Sequence, residues 1–370
     1  MHVLPNDDDG AIRVAIAGLG NCASALIEGL AFYSGGDEDG LLFPILGGFS
    51  LRDIEIVGAF DIARGKVGLA IDQAIYQPPN DFVRIPGLRV VAEANVFRGP
   101  TLDGNPEHLA GLVTESELPA ADVAEVLKGL RAEVLLNLLP TGSLAATEHY
   151  AGAALEAGCA FINAIPTPLA QRAEWQARFA ARGLPLLGDD IKSQMGTTIL
   201  HRALLSLLHL RGARLQKTSQ VNIGGNTDFR NFVHRAETKL VSKRKSLKQH
   251  LDGAELHVGH HFDPTRGPLK NALIEIVATV FAGSKVRVEV RLESDDKPNC
   301  AGSLVDLIRI AHAARVVGLG GTIEEACAFY MKSPPVEMDD ADAAAAVLSR
   351  WVTPAEREVN RAGTVDSSPA

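Results

Sequence analysis

The first half of the chain alternates short runs of β-branched and other apolar residues with longer segments of helical spacing. The short runs predict strands, and the strand candidates are 12–18, 54–61, 134–140, 160–166 and 184–190. The segments with helical spacing or strong helix formers are 26–30, 121–130, 145–157 and 169–182. Strands that alternate with helices are typical of a parallel sheet with crossover connections. This half therefore predicts an α/β fold built on a doubly wound, Rossmann-type sheet.

The pattern changes near Thr197. A helix is predicted over 197–210, followed by a lysine-rich stretch and by two alternating strands at 271–281 and 285–293, which a short turn joins into a hairpin. In the second of these strands the even-numbered positions are apolar and the odd-numbered ones are charged. This alternation predicts an antiparallel sheet with one buried face, which needs a helix, another sheet or a subunit partner as its cover.

Helices return after the hairpin, and the order of the segments predicts two domains. The later helices are expected at 304–317, 323–331 and 341–351. Residues 1–195 and 296–352 would form the Rossmann domain, and 196–295 would form an inserted α+β domain. The remaining residues, 353–370, are expected to be a polar, disordered tail. A length of 370 residues also favours more than one core, and 46% hydrophobic with 22% charged residues is the composition of a globular protein.

Composition also excludes several classes of function. The net charge of −9 argues against nucleic acid as a partner, because binding to a phosphate backbone needs a sustained basic surface. No apolar run approaches the roughly 20 residues that span a bilayer, and the amino-terminal segment is acidic, so we expect a cytoplasmic protein with no membrane partner. The four cysteines are scattered without a CxxC pair, which indicates reduced thiols rather than a zinc cluster or a disulfide framework.

One segment is strongly basic, and a small anion needs only such a local patch. Residues 235–248 contain six lysines and arginines against a single glutamate. Taken alone, a charge run of this kind is typical of a solvated helix face.

A glycine motif lies between the first predicted strand and the first helix. Gly18, Gly20 and Ala23 form the pattern G-x-G-x-x-A, in the strand–turn–helix context that a dinucleotide-binding turn requires. The second predicted strand ends in Asp61, whose carboxylate can accept hydrogen bonds from a ribose and disfavour a 2′-phosphate. These residues predict NAD as the cofactor. The interval from Gly20 to Asp61 is longer than the usual distance of about 20 residues, so 34–51 are predicted to be an inserted loop.

Five dispersed motifs carry a resemblance to a known family. They are GLGNCAS at 18–24, RGPTLDG at 98–104, GDDIKS at 188–193, NIGGN at 222–226 and YMKSPP at 330–335. Together they resemble the short prokaryotic members of the myo-inositol-1-phosphate synthase family, and the resemblance extends from about residue 11 to residue 351.

The resemblance implies an isomerase of the intramolecular lyase class, which converts glucose 6-phosphate into inositol 3-phosphate without net oxidation. NAD would oxidise C5, the new ketone would acidify C6, an intramolecular aldol reaction would close the ring, and NADH would return the hydride. The inserted domain would carry catalytic residues and hold a homotetramer together through its sheet. A small-molecule sugar phosphate is the expected substrate.

The resemblance also implies roles for individual residues. Lys243, Lys270 and Lys332 correspond to catalytic lysines, and Asp296 to a carboxylate that orients a lysine. The expected cofactor-binding residues are Gly18, Gly20, Asn21, Cys22, Asp61, Pro140, Thr141, Asp190, Lys192 and Ser193. The expected substrate-binding residues are Asn222, Asn226, Asp228 and Asn231. Ammonium groups in a water-poor site suit this chemistry, because charge develops on carbonyl oxygens during the reaction.

The sequence departs from the family pattern near two of these lysines. Leu247 stands four residues after Lys243, where the family has a second lysine, and Lys245 or Lys248 is expected to compensate. A Leu247→Lys substitution is then expected to be mild. The acidic residue that usually precedes the position of Lys270 is absent, and the aromatic residue that usually follows it is an asparagine here. These changes keep three alternatives open: a related carbocyclase acting on another sugar phosphate, a net NAD-dependent sugar-phosphate dehydrogenase, and a non-catalytic NAD sensor.

Two other clusters could hold a metal ion, but we expect none. Asp189 and Asp190 follow a predicted strand without a second carboxylate pair, and we interpret them as groups that orient Lys192 near the nicotinamide. Three histidines in a segment that contains Gly and Pro are interpreted as surface loop. They are His257, His260 and His261.

Overall fold

The computed structural model describes residues 10–107, 111–225, 229, 247, 250–251, 253–267 and 269–362. The strands are β1 Ile12–Ala17, β2 Ile45–Leu46, β3 Phe49–Ser50, β4 Ile54–Asp61, β5 Val96–Arg98, β6 Val134–Asn137, β7 Ala160–Asn163, β8 Pro185–Gly188, β9 Arg214–Gly224, β10 Glu255–Phe262, β11 Lys270–Thr279, β12 Lys285–Ser294 and β13 Gly321–Thr322. The helices are α1 Asn21–Tyr33, α2 Ile71–Ala74, α3 Val123–Gly129, α4 Leu144–Ala157, α5 Ala173–Ala181, α6 Thr197–Leu210, α7 Asp296–Val316, α8 Glu324–Tyr330, α9 Asp340–Trp351 and α10 Pro354–Ala362.

The larger sheet is parallel and has seven strands in the order β13–β8–β7–β6–β1–β4–β5. Strands β6, β7 and β8 are buried along their whole length because helices cover both faces of the sheet, which explains their apolar sequences. The chain leaves β1 for β4 on one side and later builds β6 on the other, so the crossover direction reverses beside β1. The predicted doubly wound Rossmann-type sheet is confirmed, and its ligand crevice is expected at the carboxyl end of β1.

The second sheet has four strands in the order β10–β9–β11–β12. The predicted hairpin is present as β11 and β12, which are antiparallel from Lys270 opposite Ser294 to Thr279 opposite Lys285. Helix α6 covers the apolar face, where Leu205 and Ile276 share a core with half-buried Val288. A subunit partner is therefore not needed to bury this face.

Two strands of this sheet were not predicted, and one of them corrects the interpretation of the histidines. Strand β10 runs parallel to β9 over all of its eight residues and contains His257, His260 and His261, so the surface-loop prediction was wrong. The backbone of β10 bonds to β9, a partner about 40 residues earlier in the chain that local patterns do not reveal. Within the described residues, no group of three His, Cys, Asp or Glu side chains is arranged to hold a metal ion.

After the second sheet the chain returns to the first. Helix α7 packs against α1 and the parallel sheet, and β13 adds a short strand beside β8. The helix begins eight residues before the predicted start because Asp295 caps it, accepting a hydrogen bond from the Lys297 N–H at 3.1 Å.

The tail differs from the predicted disordered segment. Helix α10 occupies its first part, and the side-chain amide of Asn360 donates to the Ile45 carbonyl at 3.1 Å while its oxygen accepts from the Ile45 N–H at 3.0 Å. Glu356 accepts from the Gly48 N–H at 2.8 Å. These hydrogen bonds hold the first part of the tail against the β2–β3 hairpin. Residues 363–370 lie outside the described residues.

The insertion that lengthens the interval between the glycine motif and Asp61 contains the β2–β3 hairpin. The fully buried guanidinium of Arg309 holds this insertion, donating to the carbonyls of Phe43, Pro44 and Phe49 and pairing with Asp306. A buried arginine is stabilised only when its donors are satisfied, and here they bond to loop carbonyls. Among the helices in the described part of the chain, none is both long and apolar enough to cross a membrane.

Candidate active site

The glycine motif forms the turn between β1 and α1. Gly18 has φ +92°, and a Cβ there would lie 2.7 Å from the Leu138 carbonyl oxygen, so no side chain fits. A Cβ at Gly20 would meet no atom within 4 Å, which leaves open space in front of the helix. No side chain caps α1, and its first turn contains no acidic residue. The N–H groups at this helix end fit a pyrophosphate.

Asp61 ends β4 beside this turn. Its Oδ2 accepts from the Leu19 N–H at 3.1 Å, and its Oδ1 accepts from the N–H groups of Ile62 and Ala63 at 2.7 and 2.8 Å. A cavity opens here at the carboxyl ends of β1 and β4, which is the adenosine end of a Rossmann site. Its lining includes Gly18, Gly20, Asn21, Asp61, Lys66, Asn80, Thr101, Asn105, Pro140 and Tyr150.

A second cavity shares Gly20 and Asn21 with the first, and lies where the nicotinamide end of a dinucleotide is expected. Its polar and cysteine lining includes Asn21, Cys22, Thr141, Asp190, Ser193, Lys270, Asp296, Lys297 and Lys332. A third, smaller cavity shares Ser193, Lys270, Asp296 and Lys332 with the second. Three cavities with common walls thus lead from the glycine turn to a lysine-rich pocket beside α6.

Lys332 is held in this pocket by Asp190. Its ammonium lies 3.1 Å from Asp190 Oδ1 and also donates to the Ile191 carbonyl. Asp190 is only 1% exposed and has φ +64°, a conformation that is uncommon outside glycine. The backbone stabilises it, because the Lys332 N–H donates to the Asp190 carbonyl at 2.7 Å and Ile191 pairs with Met331.

Lys270 is held by Asp296. The Lys270 ammonium lies 2.6 Å from Asp296 Oδ2, and the Ser294 hydroxyl donates to Asp296 Oδ1 at 3.2 Å. A neighbouring lysine, Lys297, is buried with its ammonium 2.8 Å from Asp295. The predicted lysine–carboxylate contact is therefore between Lys270 and Asp296, at the start of β11 and of α7.

A buried polar chain supports the crevice behind these lysines. The side chains of Asn137, Asn163 and Asp189 follow one another at the ends of β6, β7 and β8, with donor–acceptor distances of 2.9 Å and 2.7 Å. Asp189 also accepts from the N–H groups of Leu169 and Ala170, both at 3.0 Å. Burial raises the pKa of Asp189, although these hydrogen bonds act in the opposite direction. Asp189 therefore connects three strand ends rather than orienting a lysine.

The amino end of α6 opens into the third cavity. Gly196 precedes the helix without a side-chain cap, and the first turn contains no acidic residue. Thr197 is 2% exposed, yet among the described residues its hydroxyl has no hydrogen-bond partner, and it lines the cavity together with Thr198. An unpaired buried hydroxyl at an uncapped helix end is an arrangement that an oxyanion would satisfy.

Lys192 is not where the sequence interpretation put it. Its ammonium donates to the Ala328 carbonyl at 2.8 Å and lies 3.2 Å from Asp340, which Arg202 also contacts at 2.6 Å. It lines another cavity, of about 1030 Å³, which shares Ser193 and Ile199 with the third cavity. Burial lowers the pKa of Lys192 to about 8, against the opposing effect of Asp340. Asp190 therefore orients Lys332, and the prediction that it orients Lys192 was wrong.

Asn222 and Leu247 also differ from their predicted places. Asn222 is fully buried in β9, where its amide donates to the Gly259 carbonyl at 3.5 Å, and it lines none of the three cavities. Leu247 is 1% exposed and packs in the core between α6 and the second sheet with Leu205 and Ile274. Position 247 thus faces a hydrocarbon core, not an anion.

The remaining predicted residues cannot be compared with the structure. They lie outside the described residues and are Asn226, Asp228, Asn231, Lys243, Lys245 and Lys248. The asparagine that replaces the expected aromatic residue after Lys270 is described: Asn271 is buried and accepts from Arg291 at 3.0 Å.

Several residues that line the crevice were not predicted from the sequence. They are Lys66, Asn80, Tyr150, Thr197, Phe229 and Lys297. Lys297 directly follows Asp296, which was a predicted site residue, and was therefore a detectable candidate. The aromatic ones have no local signal, because an isolated aromatic residue is more often part of a core. The Phe229 ring packs so closely on Gly224 that a Cβ there would lie 2.5 Å from it.

Comparisons with known proteins show the family to which the chain belongs. A sequence profile described as myo-inositol-1-phosphate synthase matches residues 196–297. The inositol-3-phosphate synthase of Corynebacterium glutamicum is 40% identical over 345 residues, which cover 89% of this chain and 95% of that protein. The one from Mycolicibacterium smegmatis is 38% identical, covering 93% and 98%. The crystal structure of Ari2 is 34% identical, with a TM-score of 0.75 over 96% of this chain and 100% of the other. Similarity of this extent over nearly the whole chain shows that the protein belongs to the myo-inositol-1-phosphate synthase family, whose members are intramolecular lyases.

Proposed function

We propose that this protein converts D-glucose 6-phosphate into 1D-myo-inositol 3-phosphate, with NAD as a cofactor that is reduced and reoxidised in each turnover. The observation that carries the proposal is the meeting of two lysine–carboxylate pairs, Lys332 with Asp190 and Lys270 with Asp296, in a pocket that adjoins the glycine turn. The names of the relatives support the same reaction.

The cofactor would lie along the first two cavities. The turn at Gly18 and Gly20 would hold the pyrophosphate, Asp61 the adenosine ribose, and the residues around Thr141 and Ser193 the nicotinamide end. When bound, the nicotinamide supplies a hydride acceptor and later a hydride donor, so that the sugar carbon chain is closed without net oxidation.

The two lysines would stabilise the charge that develops on sugar oxygens. Oxidation, enolisation and aldol closure each place negative charge on an oxygen, and a preorganised ammonium in a water-poor pocket lowers the barrier to such steps. Lys332 and Lys270 both line the nicotinamide end and the lysine-rich pocket. Lys332 contacts Asp190 and Ile191, which line the nicotinamide end, so we assign it to the oxygen of the carbon that is oxidised. Lys270 would act on the neighbouring oxygen, and its partner Asp296 would fix the direction of its ammonium.

The substrate phosphate would bind at the amino end of α6. The N–H groups of that helix end, the unpaired Thr197 hydroxyl and Thr198 supply donors without a competing carboxylate in the first turn. The basic segment 235–248 would add cations. Leu247 lies in the core, so position 247 supplies none of these cations.

A single incubation tests the proposed reaction. Enzyme with NAD⁺ at a catalytic concentration and glucose 6-phosphate should yield inositol phosphate, identified by phosphorus and carbon NMR, with no accumulation of NADH absorbance. NADH formed in proportion to substrate would instead indicate a dehydrogenase. Turnover only with a different sugar phosphate would identify a related carbocyclase, and cofactor binding without any turnover would indicate a sensor.

We also expect a homotetramer held by the second sheet. Strand β12 is ten residues long and forms the edge of that sheet in the described part of the chain, and a long open edge is a surface that proteins usually cover. Light scattering at micromolar concentration should give four times the mass of one chain. A monomer under these conditions would contradict the expectation.

A further inference from the structure

Lys66 lies buried beside the carboxylate that is expected to bind the adenosine ribose. It is 2% exposed, and its ammonium donates to the Leu19 carbonyl at 2.8 Å and to Asn80 Oδ1 at 2.8 Å. The third neighbour is Asp61 Oδ2, at 3.4 Å. Lys66, Asn80 and Asp61 all line the adenosine-end cavity. Lys66 is thus a cation at the place where NAD and NADP differ.

Asp61 is the acidic partner of this lysine in the cavity. The other two acceptors of the Lys66 ammonium, the Leu19 carbonyl and the Asn80 amide, carry no net charge. Burial lowers the pKa of Lys66, whereas the nearby Asp61 carboxylate raises it. The cation close by on β5, Arg98, is already compensated, because it pairs with Glu115 at 3.0 Å. Removal of Asp61 would therefore leave an uncompensated ammonium in a nearly dry wall of the cavity.

We propose that Lys66 can bind the 2′-phosphate of NADP, and that in the wild type its pairing with Asp61 prevents this. The inference rests on the proposed binding of a dinucleotide at the glycine turn. With Asp61 present, its carboxylate neutralises Lys66 and repels a second anion, so NAD is preferred. With Asp61 replaced by a small neutral residue, a phosphate dianion takes over both the space and the charge-compensating role of the carboxylate. Lysine suits this role because its ammonium binds phosphate as a point charge.

The substitution of one residue is therefore expected to change cofactor preference. In Asp61→Ala, the affinity for NAD⁺ should fall several-fold because the ribose loses its acceptor. The affinity for NADP⁺ should rise by at least about tenfold, the effect of one hydrogen bond between charged groups. Both dissociation constants would be measured by calorimetry on the purified full chain at pH 7, at two salt concentrations, since a charge-based gain must weaken with salt.

The matched control removes the lysine charge. The double variant Asp61→Ala/Lys66→Gln retains an amide donor without the charge. Its affinity for NADP⁺ should therefore not rise, whereas its affinity for NAD⁺ should still fall as in Asp61→Ala. Thermal unfolding would verify that each variant is folded. If Asp61→Ala does not fold, Asp61→Asn replaces it, because it removes the carboxylate charge with little change of shape. It should raise NADP⁺ affinity in the same direction.

Different failures have different meanings. If the wild type binds neither dinucleotide, the proposed function is wrong and this inference falls with it. If the wild type binds NAD⁺ but folded Asp61 variants gain no NADP⁺ affinity, only the inference is overturned. A gain that persists in the double variant also overturns it, because the freed space rather than Lys66 would then be responsible.

Discussion

Replacing Lys332 by methionine is expected to lower kcat for glucose 6-phosphate by roughly 10²- to 10³-fold, the usual effect of removing one preorganised donor from a developing oxyanion. Methionine retains the length of the side chain but carries no charge. NAD⁺ affinity should change little, because Lys332 lies beyond the glycine turn, with its ammonium 3.1 Å from Asp190. Steady-state kinetics and calorimetry measure the two quantities separately.

Lys192 provides a control from the same chain. It is also buried and paired with a carboxylate, but its ammonium lies beside Asp340, and it lines none of the three cavities of the crevice. Lys192→Met should lower thermal stability, since it breaks a buried ion pair, and should leave kcat within a few-fold of the wild type. Equal losses of activity in the Lys332 and Lys192 variants would contradict the assignment of Lys332 to the reacting oxygen.

Replacing Leu247 by lysine is expected to destabilise the protein by roughly 4 kcal/mol, because a buried leucine is lost and an ammonium must be accommodated in its place. Leu247 packs in one core with Leu205, Ile274 and Ile276, and these side chains offer no hydrogen-bond acceptor. Denaturant unfolding followed by circular dichroism measures the change. The structure thus reverses the expectation from sequence that this substitution would be mild.

Leu247→Met is the matched control. It conserves volume and apolar character, so the loss of stability should stay below about 1.5 kcal/mol. If the lysine variant were as stable as the wild type and bound glucose 6-phosphate more tightly, position 247 would have to face the phosphate.

Most elements of the parallel sheet were predictable because their signals are local. Short runs of apolar residues mark β1, β4, β6, β7 and β8, and the glycine motif follows β1 at a fixed spacing. The predicted helix 197–210 has the same bounds as α6. The strands of the second sheet were harder. Strand β10 contains glycine and three histidines, and its extended conformation depends on pairing with β9.

Some residues of the candidate site could likewise be predicted from local sequence, and others could not. The identities of Gly18, Gly20 and Asp61 follow from a pattern of strand, turn and helix that lies within about 50 residues, so the sequence was sufficient to predict a dinucleotide turn. The pairing of Lys332 with Asp190 joins residues 142 positions apart, and that of Lys270 with Asp296 depends on where β11 and α7 begin. No local pattern contains such distances.

Which side chains face the crevice depended on packing between distant segments. Lys192 lies two residues from Asp190, and in a regular strand the two side chains would face the same side. Asp190 has φ +64°, so the segment is not a regular strand, and the Lys192 ammonium bonds to the Ala328 carbonyl instead of lying beside Lys332. Leu247 was expected near an anion, but the sheet and α6 supply an apolar environment that only a hydrocarbon side chain satisfies. Residue type and spacing were therefore enough for the fold class, the family and the glycine turn. The direction of each lysine required the folded chain, because burial and pairing arise from contacts between elements and not from their order.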